Sequence, residues 1–180
     1  MRTIGVFVDT STVNRVLDMD MDKKLRDSMD GEDRLYLSKI VEQYVKNDIV
    51  RLIVNPTVKQ EIKKTTTLQR RDDLLMRFNQ FHFTAYNKTI FPFVLPATFV
   101  ASEEKETLKQ LFEGLPKEFE KDEKIFADAV FNQQIELLLT ADRKHLANDR
   151  FRNRLESLGL DKKIKVFTPK ELFEYLKNMT

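Results

Sequence analysis

Residues 121–145 read KDEKIFADAVFNQQIELLLTADRKH, a helical pattern followed by a strand pattern. The apolar residues of its first half recur at spacings of three and four, which predicts a helix: Ile125, Phe126, Ala129 and Val130. Residues 135–139 form a short, mostly apolar run of strand length, and Asp142 lies just beyond it. A helix that leads into a buried strand is half of a βαβ unit, whose ligands bind beyond the carboxyl ends of the strands. The sequence therefore predicts an active edge beside Asp142.

The composition is that of an ordinary globular chain, with 180 residues, 41% hydrophobic and 33% charged. This size predicts a single domain, residues 1–180. Because there is no cysteine, disulfides, zinc–thiolate sites and thiol catalysis are excluded, and a cytoplasmic location is expected. No GxGxxG or GxxxxGK[ST] motif occurs, so the phosphate-binding loops of dinucleotide-binding and P-loop proteins are missing. No apolar run is long enough for a membrane span, and no signal peptide is visible.

The charge is unevenly distributed along the chain. Residues 143–180 contain ten Lys or Arg and five Asp or Glu, a net of +5, so the remainder carries −3 of the total of +2. A basic end beside an acidic site suits a polyanionic substrate. Although most single charges lie on solvated helix faces, five basic residues are the candidates for contact with substrate phosphates: Arg143, Lys144, Arg150, Arg152 and Arg154.

Strand and helix patterns alternate along the chain. Strands are predicted at residues 3–8, 49–54, 135–139 and 164–167, with helices between them, which predicts an α/β fold with a parallel sheet and helices on both faces. The acidic segment 18–33 is expected to be a loop or a short irregular helix. Residues 90–100 contain two prolines, so an edge strand or an extended insertion is expected there.

Four carboxylates occupy equivalent places in this pattern. Asp9 follows the first strand, Glu61 lies on the helix after the second, Asp122 begins the helix before the 135–139 strand, and Asp142 follows that strand. In a parallel sheet these positions share one edge, where like charges repel unless a cation neutralises them. Because only oxygen ligands are offered, Mg²⁺ or Mn²⁺ is the expected cofactor, as one or two ions. Such ions activate water for hydrolysis of a phosphodiester.

Three pieces of the sequence, IGVFVDTST, VNPTVKQEI and KDEKIFADAVFNQQIELLLTADRKHL, resemble the PIN-domain ribonucleases in this order. The resemblance implies a three-layer α/β/α sandwich with a central, mainly parallel sheet of about five strands. It also implies metal-dependent cleavage of single-stranded RNA. The implied catalytic residues and metal ligands are Asp9, Glu61, Asp122 and Asp142. Segments 18–33 and 90–121 are longer than in compact toxin-type members, which leaves the substrate and partner open.

Neighbouring residues have implied supporting roles. Thr10, Ser11 and Thr140 are expected to orient the carboxylates through their hydroxyls. Asp128 also lies on the central helix, but at ~100° per residue it points ~120° away from Asp122. Asp122 lies near the centre of the apolar stripe, so it is the expected ligand and Asp128 is expected to be more exposed.

Other interpretations remain open at this stage. Taken alone, Asp9 is as well explained by a helix cap, and Thr140 and Asp142 by a turn. A catalytically silent PIN-like module that binds RNA or a protein is the main alternative. An aspartate-nucleophile phosphatase would need a second acid where Ser11 stands. A toxin role, with an antitoxin partner, and a homodimer are compatible with the sequence, but no feature indicates either.

Overall fold

The centre of the fold is a parallel β-sheet. The structure, a computed structural model, describes residues 3–9, 12–13, 29–54, 62–80, 84–85, 102–115, 126, 129–130 and 135–179. Four strands of three to five residues form the sheet: β1 (Ile4–Val8), β2 (Val50–Val54), β4 (Leu137–Leu139) and β5 (Lys165–Phe167). A two-residue strand, β3 (Thr84–Ala85), pairs with β2 at the edge. The order is β3-β2-β1-β4-β5, and every pair is parallel, as the sequence predicted.

Five helices accompany the strands. They are α1 (Met29–Ile40), α2 (Leu68–Gln80), α3 (Ser102–Phe112), α4 (Asp149–Ser157) and α5 (Pro169–Met179). A π-helical turn, Val41–Val45, continues α1, and a 3-10 turn, Leu160–Lys162, follows α4. Asn148 caps α4 through its side chain, and Gly159 after α4 has φ +68, a conformation that favours glycine. No helix of the described residues is long and apolar enough to cross a membrane.

Side chains on the two faces of the sheet belong to two separate hydrophobic clusters. Because successive strand residues point to opposite faces, Val6 and Val8 belong to one cluster and Phe7 to the other. The first cluster includes residues of α1, α2 and α5, and the second includes residues of α3 and α4. Phe126 and Ala129, from the predicted helical stripe of residues 121–145, are fully buried in the second cluster. Helices therefore contribute to the core on both faces of the sheet.

The structure corrects one prediction about the acidic segment. Residues 29–33 were expected to lie in a loop or a short irregular helix, but they form the first turns of α1. Gly31 and Asp33 are both buried there. The helix begins earlier than predicted because its buried stripe is one turn longer. Asp33 is buried four residues before Leu37, on the same stripe as Ile40 and Tyr44. Residues 18–28 and 86–100 lie outside the described residues.

An ion pair joins α4 to the beginning of α5. The guanidinium of Arg152 donates to both carboxylate oxygens of Glu171, at 2.8 and 2.6 Å. The N–H and the hydroxyl of Thr168 also donate to Glu171 Oε2, which is the arrangement of a capping box. Partial burial disfavours ionisation of Glu171, but these hydrogen bonds outweigh it and lower its pKa from 4.5 to about 2.

We expect Glu171→Gln to destabilise the fold at neutral pH and to have a much smaller effect at pH ~2. The folded-state pKa is depressed, so the stabilisation is full above the unfolded pKa of 4.5 and is lost as pH falls through the folded-state pKa of about 2. Because 41% of the Glu171 side chain is exposed, solvent screening reduces the expected effect to about 1–2 kcal/mol. Urea unfolding between pH 2 and 7 measures it, with the exposed Glu174→Gln as control. An equal gap between wild type and variant at both ends of this range would contradict the prediction.

Candidate active site

The polar residues that follow β1 and β4 lie next to each other at the carboxyl edge of the sheet. Val8 pairs with Leu139 as the last residue of each strand, so Asp9 and Thr140 leave the sheet side by side. The chain continues from β1 to β2 on one side, whereas β4 and β5 lie on the other side of β1. The crevice between β1 and β4 is therefore the topological switch point, where ligands of open α/β sheets bind.

Asp9 is held in place through both of its carboxylate oxygens. Only 4% of the residue is exposed. Its Oδ1 accepts the backbone N–H of Thr12 at 2.8 Å, and its Oδ2 accepts the hydroxyl of Thr140 at 2.7 Å. Residues 12 and 13 are helical, so the first bond is a helix cap. The cap that the sequence offered as an alternative role for Asp9 is present, and it also fixes the orientation of the carboxylate.

Thr140 connects the two strand ends through one fully buried hydroxyl. This hydroxyl donates to Asp9 and accepts the backbone N–H of Asp142 at 3.0 Å. A second buried hydroxyl makes a parallel connection, because Thr12 Oγ1 accepts the N–H of Ala141 at 2.7 Å. Together these bonds attach the segment after β4 to the segment after β1.

Thr12 is a member of the site that sequence reasoning missed. Thr10 and Ser11, the hydroxyls predicted instead, lie outside the described residues. The sequence did contain a signal for Thr12. An Asp9 that caps a helix accepts the N–H of the residue three positions later, which places Thr12 in the first helical turn. Thr12 is fully buried, and its hydroxyl accepts the N–H of Ala141 beyond β4.

Asp142 organises the turn that follows β4. Its Oδ1 accepts the backbone N–H groups of Lys144 and His145, at 3.0 and 3.2 Å. Its Oδ2 lies 3.0 Å from His145 Nδ1, and its carbonyl accepts the N–H of Ala147. The carboxylate is therefore part of the turn, and the side chain is only partly buried.

The basic residues proposed for phosphate contact lie in different settings. Arg143 is paired with Asp33, at 2.7 Å, and Arg152 with Glu171. Arg154 donates to the backbone carbonyl of Gln110, at 2.6 Å. Lys144 and Arg150 are exposed, and neither side chain has an ion pair to another described residue. The structure therefore leaves Lys144 and Arg150 as the better placed candidates.

Two of the four predicted carboxylates can be located. The Thr140 hydroxyl joins the carboxylate of Asp9 to the backbone N–H of Asp142. Glu61, Asp122 and Asp128 lie outside the described residues. Within the described part of the chain, no group of three Asp, Glu or His side chains is arranged to hold a metal ion. The donors that are described are carboxylate and hydroxyl oxygens, which is the chemistry that Mg²⁺ and Mn²⁺ prefer.

The fold and the edge define an α/β protein with a parallel sheet, in which a buried threonine at the switch point binds the carboxylate of Asp9 and the backbone N–H of Asp142. No protein-family model matches the sequence, and no curated protein matches it significantly.

Proposed function

We propose that this protein is a metal-dependent ribonuclease of the PIN-like type, a three-layer α/β/α sandwich that hydrolyses phosphodiester bonds of single-stranded RNA. Asp9 and Asp142, with Glu61 and Asp122, are the proposed catalytic carboxylates, and Mg²⁺ or Mn²⁺ is the proposed cofactor. The single observation that supports this most is the Asp9–Thr140–Asp142 connection at the switch point. It joins the strand–Asp and strand–Thr–x–Asp motifs at one edge of the sheet.

In this proposal, some site residues bind the cation and others bind the substrate. Asp9 and Asp142 supply negative charge and oxygen ligands, and the hydroxyl of Thr140 fixes the carboxylate of Asp9. When bound, the ion lowers the pKa of a coordinated water and neutralises charge on the phosphate. Lys144 follows Asp142 by two residues and is exposed, so it can contact a substrate phosphate beside the carboxylates. Arg150, on the first turn of α4, can contact a second phosphate.

A catalytically silent RNA-binding or interaction module is the second candidate, and one observation favours it. Both carboxylate oxygens of Asp142 already interact within the turn, with the N–H groups of Lys144 and His145 and with the His145 ring. These contacts are enough to explain why an aspartate stands at position 142, because aspartate commonly stabilises such turns without a metal ion. The two candidates differ in whether RNA is cut when the cation is supplied.

The test is cleavage of a fluorescently labelled single-stranded RNA by the purified full chain. We expect cleavage with Mn²⁺ or Mg²⁺ and none after addition of a chelator, because in the proposed mechanism the bound ion activates the attacking water. A mock purification from cells that do not express the chain controls for contaminating ribonuclease, and DNA of the same sequence tests selectivity. Binding of RNA without cleavage in either metal would favour the silent module. Cleavage that persists in chelator would contradict the metal-dependent mechanism.

A further inference from the structure

An ion pair between a buried carboxylate and a partly exposed guanidinium connects α1 to the turn that carries Asp142. The side chain of Asp33, on α1, is only 3% exposed, and its Oδ1 accepts Arg143 Nη2 at 2.7 Å. The two residues are 110 positions apart in the sequence. A carboxylate this deeply buried is stable as an anion only when a cation and hydrogen bonds compensate for its lost hydration. The contact therefore holds the side chain of Arg143 against α1.

Arg143 belongs by its backbone to the turn of Asp142. It directly follows Asp142, and its N–H donates to the carbonyl of Ala141 at 3.2 Å. The next two N–H groups, of Lys144 and His145, donate to Asp142 Oδ1. A shift of Arg143 would therefore move the same turn whose amides hold the Asp142 carboxylate.

The helix that supplies Asp33 is itself firmly packed. Leu37 and Ile40 of α1 are buried in the core, and the ring of Tyr36 lies 5.5 Å from that of Phe173 on α5. Glu32, next to Asp33, accepts Lys170 Nζ at 2.8 Å, also on α5. Because α1 packs in the core and against α5, the position of Asp33 is fixed, and its contact with Arg143 can fix the turn.

We propose that Asp33 and Arg143 are positioning residues for the candidate active site. The pair holds the 141–147 turn so that Asp142 stays beside Thr140 and Asp9. This inference rests on the proposed ribonuclease function. It also changes the role expected for Arg143, which acts through Asp33 on the turn and does not contact substrate phosphate.

The first experiment measures the turn directly and does not depend on activity. Amide hydrogen exchange is followed at Lys144, His145 and Ala147 in wild type, Asp33→Asn, Arg143→Gln and the double variant. We expect about tenfold faster exchange in either single variant, which corresponds to a decrease of ~1.4 kcal/mol in the free energy of local opening. The double variant should add little, because the two residues act as one unit. Glu42→Gln is the matched control, since Glu42 is an exposed acid of the π-helical turn that continues α1 and pairs with Lys46.

Unchanged exchange at these amides in both folded single variants would overturn the inference. If Asp33→Asn fails to fold, Arg143→Gln still decides, because Arg143 is 35% exposed and its loss disturbs the core less. A general loss of stability would accelerate exchange in the core as well. The N–H of Leu172, on α5, serves as the reference amide for that effect.

The second experiment separates a positioning role from a phosphate contact. For Asp33→Asn and Arg143→Gln we expect kcat for RNA cleavage to fall about 10-fold to 100-fold. KM for RNA and the salt dependence of binding should be unchanged. An Arg143→Gln variant with raised KM and a shallower salt dependence would identify a phosphate contact and overturn the inference. Absence of cleavage by the wild type would instead reject the proposed function, while the exchange result still shows whether the pair holds the turn.

Discussion

Asp9→Asn should lower metal-dependent RNA cleavage by at least about 1,000-fold, the order of magnitude expected when a charged group of a catalytic centre is lost. The variant has the same size, but it removes the negative charge that would hold the cation. Asparagine keeps an oxygen that can accept the N–H of Thr12, so the helix cap and the fold should persist. Single-turnover cleavage at saturating Mn²⁺ measures the loss, and circular dichroism with thermal unfolding verifies the fold.

A matched change at the surface separates charge loss at the site from charge loss in general. Asp72, on α2, has a side chain that is 68% exposed, so Asp72→Asn should cleave RNA at the wild-type rate. Mn²⁺ binding by calorimetry should weaken in Asp9→Asn and not in Asp72→Asn. A folded Asp9→Asn protein that cleaves like the wild type would show that Asp9 serves only as a helix cap.

Thr140→Val should reduce both stability and cleavage, because one buried hydroxyl serves two partners. The variant removes the hydroxyl that donates to Asp9 Oδ2 and accepts the N–H of Asp142. We expect a loss of about 2–4 kcal/mol in the free energy of unfolding, since loss of a hydrogen-bond partner by a buried polar group costs about 1–3 kcal/mol and the N–H of Asp142 is only partly buried. Cleavage should fall about 10-fold to 100-fold, as is usual for residues that orient metal ligands. Urea unfolding and initial cleavage rates measure the two effects.

Two further variants distinguish the hydroxyl at this site from hydroxyls elsewhere on the edge. Thr140→Ser keeps the hydroxyl, so it should restore most of the cleavage. Thr168 stands at the equivalent place after β5, is also buried, and caps α5. Thr168→Val should lower stability and leave the cleavage rate unchanged. If Thr168→Val slows cleavage as much as Thr140→Val does, the slower cleavage results from lower folding stability. The prediction that Thr140 orients Asp9 would then be wrong.

Much of the fold followed from local patterns. The alternation of apolar runs with helical periodicity predicted the α/β class and the parallel sheet, and the observed strands differ from the predicted ones by no more than two residues at either end. The caps of α4 and α5 were also predictable, because Asn148 and Thr168 act on N–H groups a few residues away. The short edge strand β3 was not predicted, because a two-residue strand forms through pairing with β2 and leaves no periodic pattern.

Part of the candidate site could be predicted and part could not. Asp9 and Thr140 were expected at one edge because each follows a buried strand, and parallel pairing in register makes them neighbours. The settings of Arg143 and Arg152 were not predictable. Their acidic partners, Asp33 and Glu171, come from other elements, and nothing in the local sequence indicates which arginine they meet.

The sequence by itself determined the four longer strands, their alternation with helices, and that Asp9 and Asp142 follow strands, because these properties depend on neighbours within a few positions. Only the tertiary structure decided the order β3-β2-β1-β4-β5. That order places β1 beside β4 and creates the crevice at which Asp9 and Thr140 meet. It also decided that Asp33 is buried against Arg143, since pairing across 110 residues depends on how α1 packs, not on the residues beside it.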